Sequence, residues 1–313
     1  MSPSAKKTRL SRRSDVAAPH FASHALPRAL TSLLPGLSPI ALAFSGGLDS
    51  RFLAHTARLL AADGAGPEIH LFHAAGPHVP ATESADAQAW AEANGFAFTA
   101  VPADPLSLPD VRANTRERCY HCKRLLFSRL ADAAREHFSC RATLCDGSNA
   151  SDFLLFRPGF KALRELGVRS PLAEAALDKA AIRAFAAATG LDDPEQQARP
   201  CMLTRFAYGL APSHEALAAA AEAERNIAGL LRSLFPASIP DFRLRLVGAL
   251  ESLKRTLPYT TELHLSMRPD EATARRLEEA VAEQGFVPPT IVVLDTVSGH
   301  YDRQDEKLAT RGV

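Results

Sequence analysis

From Leu37 onward, short apolar runs alternate with longer stretches that are apolar on one helical face. Ala41-Leu42-Ala43-Phe44 reads as a strand buried on both sides, as in a parallel sheet. It breaks at Ser45-Gly46-Gly47, after which Phe52, Leu53, Thr56, Leu59 and Leu60 share one helical face. Ile69 to His73 predicts a second strand, and Thr82 to Asn94 a helix closed by Gly95. Phe96 to Val101 reads as a third strand, Cys119 to Phe138 as a helix and Thr143 to Cys145 as a fourth strand. Asp178 suits the N-cap of a helix ending at Gly190. Strands alternating with helices predict an α/β domain with a doubly wound parallel sheet over residues 37–195. Ligands of such sheets bind beyond the carboxyl ends of the strands, where Ser45, His73 and Asp146 fall.

Leu191 to Pro200 is polar, carries two prolines and reads as a linker. Beyond it the order changes to a long helix (Ser213 to Leu234), strands at Phe242 to Val247 and Thr261 to Met267, a helix (Pro269 to Gln284) and a strand (Thr290 to Leu294). Residues 196–313 are therefore expected to form a smaller α+β domain. At the other end, Lys6, Lys7, Arg9, Arg12 and Arg13 precede the first acid, Asp15, among frequent Ser and Pro. Residues 1–36 are expected to be a disordered basic tail, with an organelle transit peptide as the sharper alternative.

Composition narrows the class. The 313 residues carry a formal net charge of +1 and 7% aromatic residues, which argues against nucleic acid as partner. No apolar run reaches membrane-spanning length and no hydrophobic signal segment is present, so a cytoplasmic, reduced protein is expected. Its five cysteines are then read as chemistry, metal ligands or core rather than disulfides. A homo-oligomer stays open.

A strand that turns through glycines into a helix N-terminus is a place to hold phosphate, because the backbone can approach closely and the free N–H groups favour an anion. The plain alternative is a glycine turn without a ligand. Ser45-Gly46-Gly47-Leu48-Asp49-Ser50 lacks the Lys-Ser/Thr pair of a Walker loop. It resembles instead the PP-loop of ATP pyrophosphatases. Four further stretches accompany it: Arg118-Cys119-Tyr120-His121-Cys122-Lys123, Asp146-Gly147-Ser148-Asn149, Phe156 to Ala162 and Ser170 to Ala175. A fifth, Cys201-Met202-Leu203-Thr204-Arg205-Phe206-Ala207-Tyr208-Gly209, is similar to the Cys-Leu-x-Ser-Arg-Phe/Ile-Pro-Tyr-Gly pattern of the LarE family. That family comprises ATP-dependent sacrificial sulfur transferases of nickel-pincer nucleotide synthesis. The resemblance runs from about Leu37 to Gly209 and weakens beyond.

The resemblance implies a fold of the PP-loop type, ATP and Mg²⁺ as cofactors, and a small carboxylated mononucleotide as substrate. Adenylation of a carboxylate of pyridinium-3,5-biscarboxylic acid mononucleotide would supply AMP as leaving group. Cys201 would attack the acyl carbon as thiolate and surrender its sulfur, leaving dehydroalanine. Ser45, Gly46, Gly47, Asp49, Ser50, Lys123 and Asp146 are the implied nucleotide contacts. Arg205, Arg243 and Arg245 are the implied substrate contacts, with Arg205 a candidate to favour the Cys201 thiolate. A solvated surface role is the alternative for each arginine. Cys119 and Cys122 have the spacing of half a metal site, but no metal is assigned to them; Cys140 and Cys145 read as core thiols. Met202, Thr204, Ala207 and Val297 depart from the family pattern, all in the part that shapes the substrate site. Rival readings are a tRNA thiolase of the PP-loop class, an amide-forming ATP pyrophosphatase and a nucleotide-binding sensor.

Overall fold

The computed structural model describes residues 25–139, 141–154, 158–250, 257–297, 300 and 301. Strands β1 (Ile40–Ala43), β2 (Ile69–Ala75), β3 (Phe98–Pro102) and β4 (Thr143–Cys145) form one sheet in the order β3-β2-β1-β4, every pairing parallel. β1 lies inside the sheet because it is apolar on both faces: Ile40 and Leu42 enter one core and Ala41 the other. Helices α1 (Arg28–Leu33), α2 (Leu48–Ala62) and α3 (Ala81–Ala93) help fill the first core. After the short α4 (Pro109–Arg112), helices α5 (Arg118–Phe138) and α6 (Gly159–Glu165) fill the second. The short α7 (Pro171–Glu174) and α8 (Lys179–Ala188) return to the first. Helices on both faces make this the doubly wound α/β fold that the alternating pattern predicts. The chain runs from β1 outward through β2 and β3, then crosses to β4 on the other side of β1. The strand order thus reverses beside β1, where a crevice opens at the carboxyl ends.

The amino-terminal boundary differs from expectation. Residues 25–36 belong to the folded domain: Leu26, Leu30 and Leu34 are buried in the first core. Their four-residue spacing is a helical stripe, obscured in the sequence by the basic, Ser- and Pro-rich residues ahead of it. Residues 1–24, Cys140, Phe156, Arg157 and the Ser298-Gly299 pair lie outside the described residues.

In the carboxyl-terminal half, α9 (His214–Leu234) precedes β5 (Phe242–Ala249) and β6 (Tyr259–Leu265), which pair antiparallel. After α10 (Glu271–Ala282), β7 (Thr290–Val293) pairs parallel to β6. Leu244, Leu246, Leu263 and Leu265 face a third core against α9 and α10. The alternate residues Arg243, Arg245, Glu262 and His264 occupy the other face of the sheet. Leu106, Val111 and Cys122, from the first half of the chain, also join the third core. Both long helices begin on the caps their sequences offer: Ser213 accepts from the Ala216 N–H at 3.1 Å and Asp270 from the Thr273 N–H at 2.8 Å.

β2 buries a histidine, His70, bonded to the Thr99 hydroxyl at 2.8 Å with its ring against His137. Burial, with His137 beside it, pulls His70 down from 6.5 to about 4. A histidine with a lowered folded pKa contributes stability that is present above its unfolded value and lost as pH falls through the folded one. The melting temperature should therefore fall between pH 6.5 and about 4. His70→Gln, which keeps a partner for Thr99, should flatten part of that slope in a calorimetric pH series.

Candidate active site

The turn between β1 and α2 is built by its glycines. Gly46 has φ +74°, and a Cβ there would lie 2.8 Å from the Ala87 Cβ of α3. Only glycine meets both constraints. Gly47 is extended and caps α2 without a side-chain hydrogen bond, which leaves the first helical N–H groups to a ligand. The Ser45 and Ser50 hydroxyls sit 3.2 Å apart, and Ser50 donates to the Gly47 carbonyl at 3.0 Å. The loop after β4 presses against this turn: a Cβ on Gly147 would stand 3.0 Å from the Ser50 nitrogen.

Asp49, in the first turn of α2, has both carboxylate oxygens engaged. Lys179 reaches Oδ1 at 2.7 Å and the Asn149 amide donates to Oδ2 at 3.0 Å. Sequence reasoning missed Lys179. The available signal was its position: it opens α8 directly after the Asp178 cap, and a helix N-terminus disfavours a cation unless an acid compensates. Asp146 is buried and accepts from the Ser170 hydroxyl at 2.7 Å and the Ser148 N–H at 3.2 Å, so its carboxylate organises the loop after β4. The Lys123 ammonium lies 4.9 Å over the Phe160 ring.

Ser45, Gly47, Asp49 and Lys179 line a cavity of about 360 Å³, and Cys201 lines the same cavity. His73 from β2 and Glu83 from α3 add to its polar lining, with His78, Gln196, Gln197 and Arg199. Lys123, Asp146 and the three arginines 205, 243 and 245 stand outside that lining. His73 is fixed by the Phe44 carbonyl and the Ser84 hydroxyl, each at 2.9 Å, and burial lowers its pKa. Glu83 is pushed the other way: burial raises its carboxyl, with Arg199 and Arg205 opposing.

Cys201 opens the turn Met202–Arg205 and is half-buried. The next residue ties this loop to the one between β2 and α3, since the Met202 N–H donates to the His78 carbonyl at 3.0 Å. The segment ahead of it, read as a linker, is pinned as well. Asp192 accepts from Arg51 at 2.8 Å and from the Trp90 indole at 2.9 Å. The three arginines converge on the loop rather than on open space. Arg205 makes a two-pronged pair with Glu224 of α9 (2.8 and 2.7 Å) and donates to the Pro200 carbonyl at 3.1 Å. Arg243 donates to the Ala198 carbonyl at 3.0 Å; Arg245 donates to those of Thr204 and Val297 at 2.7 and 2.8 Å. Glu224 was also missed in the sequence. It falls on the apolar stripe of α9 between Ala220 and Ile227, and a carboxylate on a buried face needs a partner.

Burial pushes the Cys201 thiol up to about 11; the Leu203 N–H, Arg118 and Arg205 pull the other way. The pull of Arg205 is the smallest of these, and desolvation outweighs them all. Cys119, Cys122 and Cys145 are free, and burial raises the thiols of Cys122 and Cys145. No helix among the described residues is long and apolar enough to cross a membrane.

Comparison with known proteins follows this geometry. No family model matches the chain. It is 35% identical over 168 residues to an uncharacterized protein of Synechocystis sp., a match covering 54% of this chain and 60% of that one. The match thus spans less than two thirds of that relative's length. It is 33% identical over 217 residues to the pyridinium-3,5-bisthiocarboxylic acid mononucleotide synthase of Lactiplantibacillus plantarum, covering 69% of this chain and 74% of that one. Among solved structures, the NMN synthetase of Francisella tularensis superposes with a TM-score of 0.42 at 15% identity, over 57% of this chain and 76% of that one. At that score the likeness does not bear on chemistry. The match to the Lactiplantibacillus synthase covers more than two thirds of each chain, and the protein belongs to the pyridinium-3,5-bisthiocarboxylic acid mononucleotide synthase, or LarE, family.

Proposed function

We propose that this protein is an ATP-dependent sulfur transferase that adenylates a carboxylate of pyridinium-3,5-biscarboxylic acid mononucleotide and gives up the sulfur of Cys201. The observation that carries the reading is the shared cavity: the phosphate-type turn and the candidate sulfur donor line one space. A carboxylate resists a thiol because its leaving group would be oxide. An acyl adenylate removes that obstacle by offering AMP, and the thiol must then be within reach of the same carbon.

Each side chain has a task in this scheme. The N–H groups of the Gly46-Gly47 turn and the hydroxyls of Ser45 and Ser50 would hold phosphate. Asp49 beside that turn fits a Mg²⁺ ion held chiefly by nucleotide phosphates; the ion would offset charge on the departing pyrophosphate. Lys179 already lies at the Asp49 carboxylate and would follow the added negative charge. Arg205, locked by Glu224, would keep the Cys201 loop in place through the Pro200 carbonyl. Once the thioester has formed, elimination needs a base for the Cα proton of Cys201. The electron pair then forms Cα=Cβ, and the Cβ–S bond breaks with sulfur leaving as thiocarboxylate. Glu83, in the same cavity and with its carboxyl raised by burial, is suited to accept that proton.

Four outcomes test the scheme. Intact-protein mass spectrometry after turnover with ATP and the mononucleotide should show loss of one hydrogen sulfide at Cys201. Cys201→Ala should still form AMP and pyrophosphate but yield no thiocarboxylate; a variant that still yields it would remove Cys201 as donor. Lys179→Ala should lower the single-turnover rate constant at limiting ATP by about 10- to 100-fold, equivalent to about 1.4–2.7 kcal/mol. Because the thiol sits near 11, alkylation of Cys201 by iodoacetamide should rise about tenfold per pH unit between roughly pH 7 and 10, read from the Cys201 peptide.

A further inference from the structure

The face of the second sheet opposite its core holds a cluster that the sulfur-transfer scheme leaves unused. Glu262 and His264 are two residues apart on β6 and point to that face, opposite Arg245 and Arg243 of β5. His300 comes from the far end of the described chain, and its ring lies 4.4 Å from that of His264, centre to centre. One ligand atom from each of Glu262, His264 and His300 lies within 4.8 Å of the others. His264 is fully buried, its Nε2 is 2.7 Å from Glu262 Oε2, and its Nδ1 has no hydrogen-bond partner among the described residues. Leaving a buried imidazole nitrogen unpaired costs about 1–3 kcal/mol, so the site calls for a partner that the described residues do not supply.

We propose that Glu262, His264 and His300 bind one divalent ion of the zinc class. Two imidazoles and a carboxylate suit zinc and its borderline neighbours, whereas magnesium and calcium prefer oxygen alone. Ligand bonds of about 2.0–2.2 Å would draw the three groups together with small side-chain rotations. The adjacent cations do not compete for the space, because Arg243 and Arg245 donate to main-chain carbonyls of Ala198, Thr204 and Val297. The ion would fasten the segment around His300 to β6. Arg245 binds that segment at Val297 and the donor loop at Thr204, so the ion would steady the sheet behind Cys201. Three protein ligands leave a position for water.

The test uses the full chain, stripped with chelator, dialysed, and titrated with Co²⁺ and then Zn²⁺. One equivalent of Co²⁺ should bind with visible d–d bands and no thiolate charge-transfer band, and Zn²⁺ should displace it and raise the melting temperature. His300→Ala and Glu262→Gln should each weaken binding by about 100-fold or more, with unchanged circular dichroism. Cys119→Ser and Cys122→Ser should bind as the parent does. The proposal is overturned if no stoichiometric ion binds, if the Co²⁺ spectrum reports thiolate ligation, or if both His300→Ala and Glu262→Gln retain parental affinity. None of these readouts depends on sulfur transfer, so the metal site and the proposed reaction stand or fall separately.

Discussion

The buried pair between Arg205 and Glu224 joins three parts of the chain that would otherwise be independent. Arg205 belongs to the loop after Cys201, Glu224 to α9, and the same carboxylate accepts the Leu244 N–H of β5 at 2.9 Å. Both side chains are almost wholly removed from water. Such a pair is tolerated only when every charge-bearing atom is met, as the two-pronged geometry and the added main-chain contacts achieve here. Removing either partner would strand a buried charge and free the loop that carries the candidate donor. Arg243 and Arg245 extend the arrangement by holding carbonyls on either side of Cys201. Guanidinium groups suit this work, since a planar fork can serve several carbonyls at once.

At the opposite wall of the cavity the constraint is steric rather than ionic. The glycine turn is squeezed between α3 at Ala87 and the loop after β4 at Gly147, and its backbone has little freedom. Pre-placed N–H groups favour phosphate because little ordering is needed on binding. Asp49, Asn149 and Lys179 form a polar clasp beside it. The two walls are linked through the Met202–His78 main-chain bond and through Gln196, whose amide donates to the Gly46 carbonyl at 3.4 Å. Small displacements of the Cys201 loop should therefore be felt at the glycine turn.

Much of this was legible in the linear pattern. The apolar β1 run, the glycine turn and the helical stripe of α2 define the strand–turn–helix unit locally, by propensity and by the φ that only glycine adopts easily. The caps at Asp178, Ser213 and Asp270 mark helix starts for the same local reason. Cys201 was recognisable from the residues around it. The folded status of residues 25–36 was not, because a basic, Ser-rich preamble dominates composition while burial of Leu30 and Leu34 depends on a core assembled from distant helices.

The sequence by itself determined the fold class, the position of the phosphate-type turn and the identity of the lone cysteine beyond position 145, since each rests on neighbours within a few residues. Tertiary structure alone decided which side chains meet. Lys179 reaches Asp49 across 130 positions, Glu224 reaches Arg205 across 19, and His300 reaches His264 from another segment. Periodicity shows which face of an element is apolar, but not which charge on one element finds its counterpart on another. That choice is made when desolvation makes a buried charge depend on the partners that the tertiary fold brings within reach.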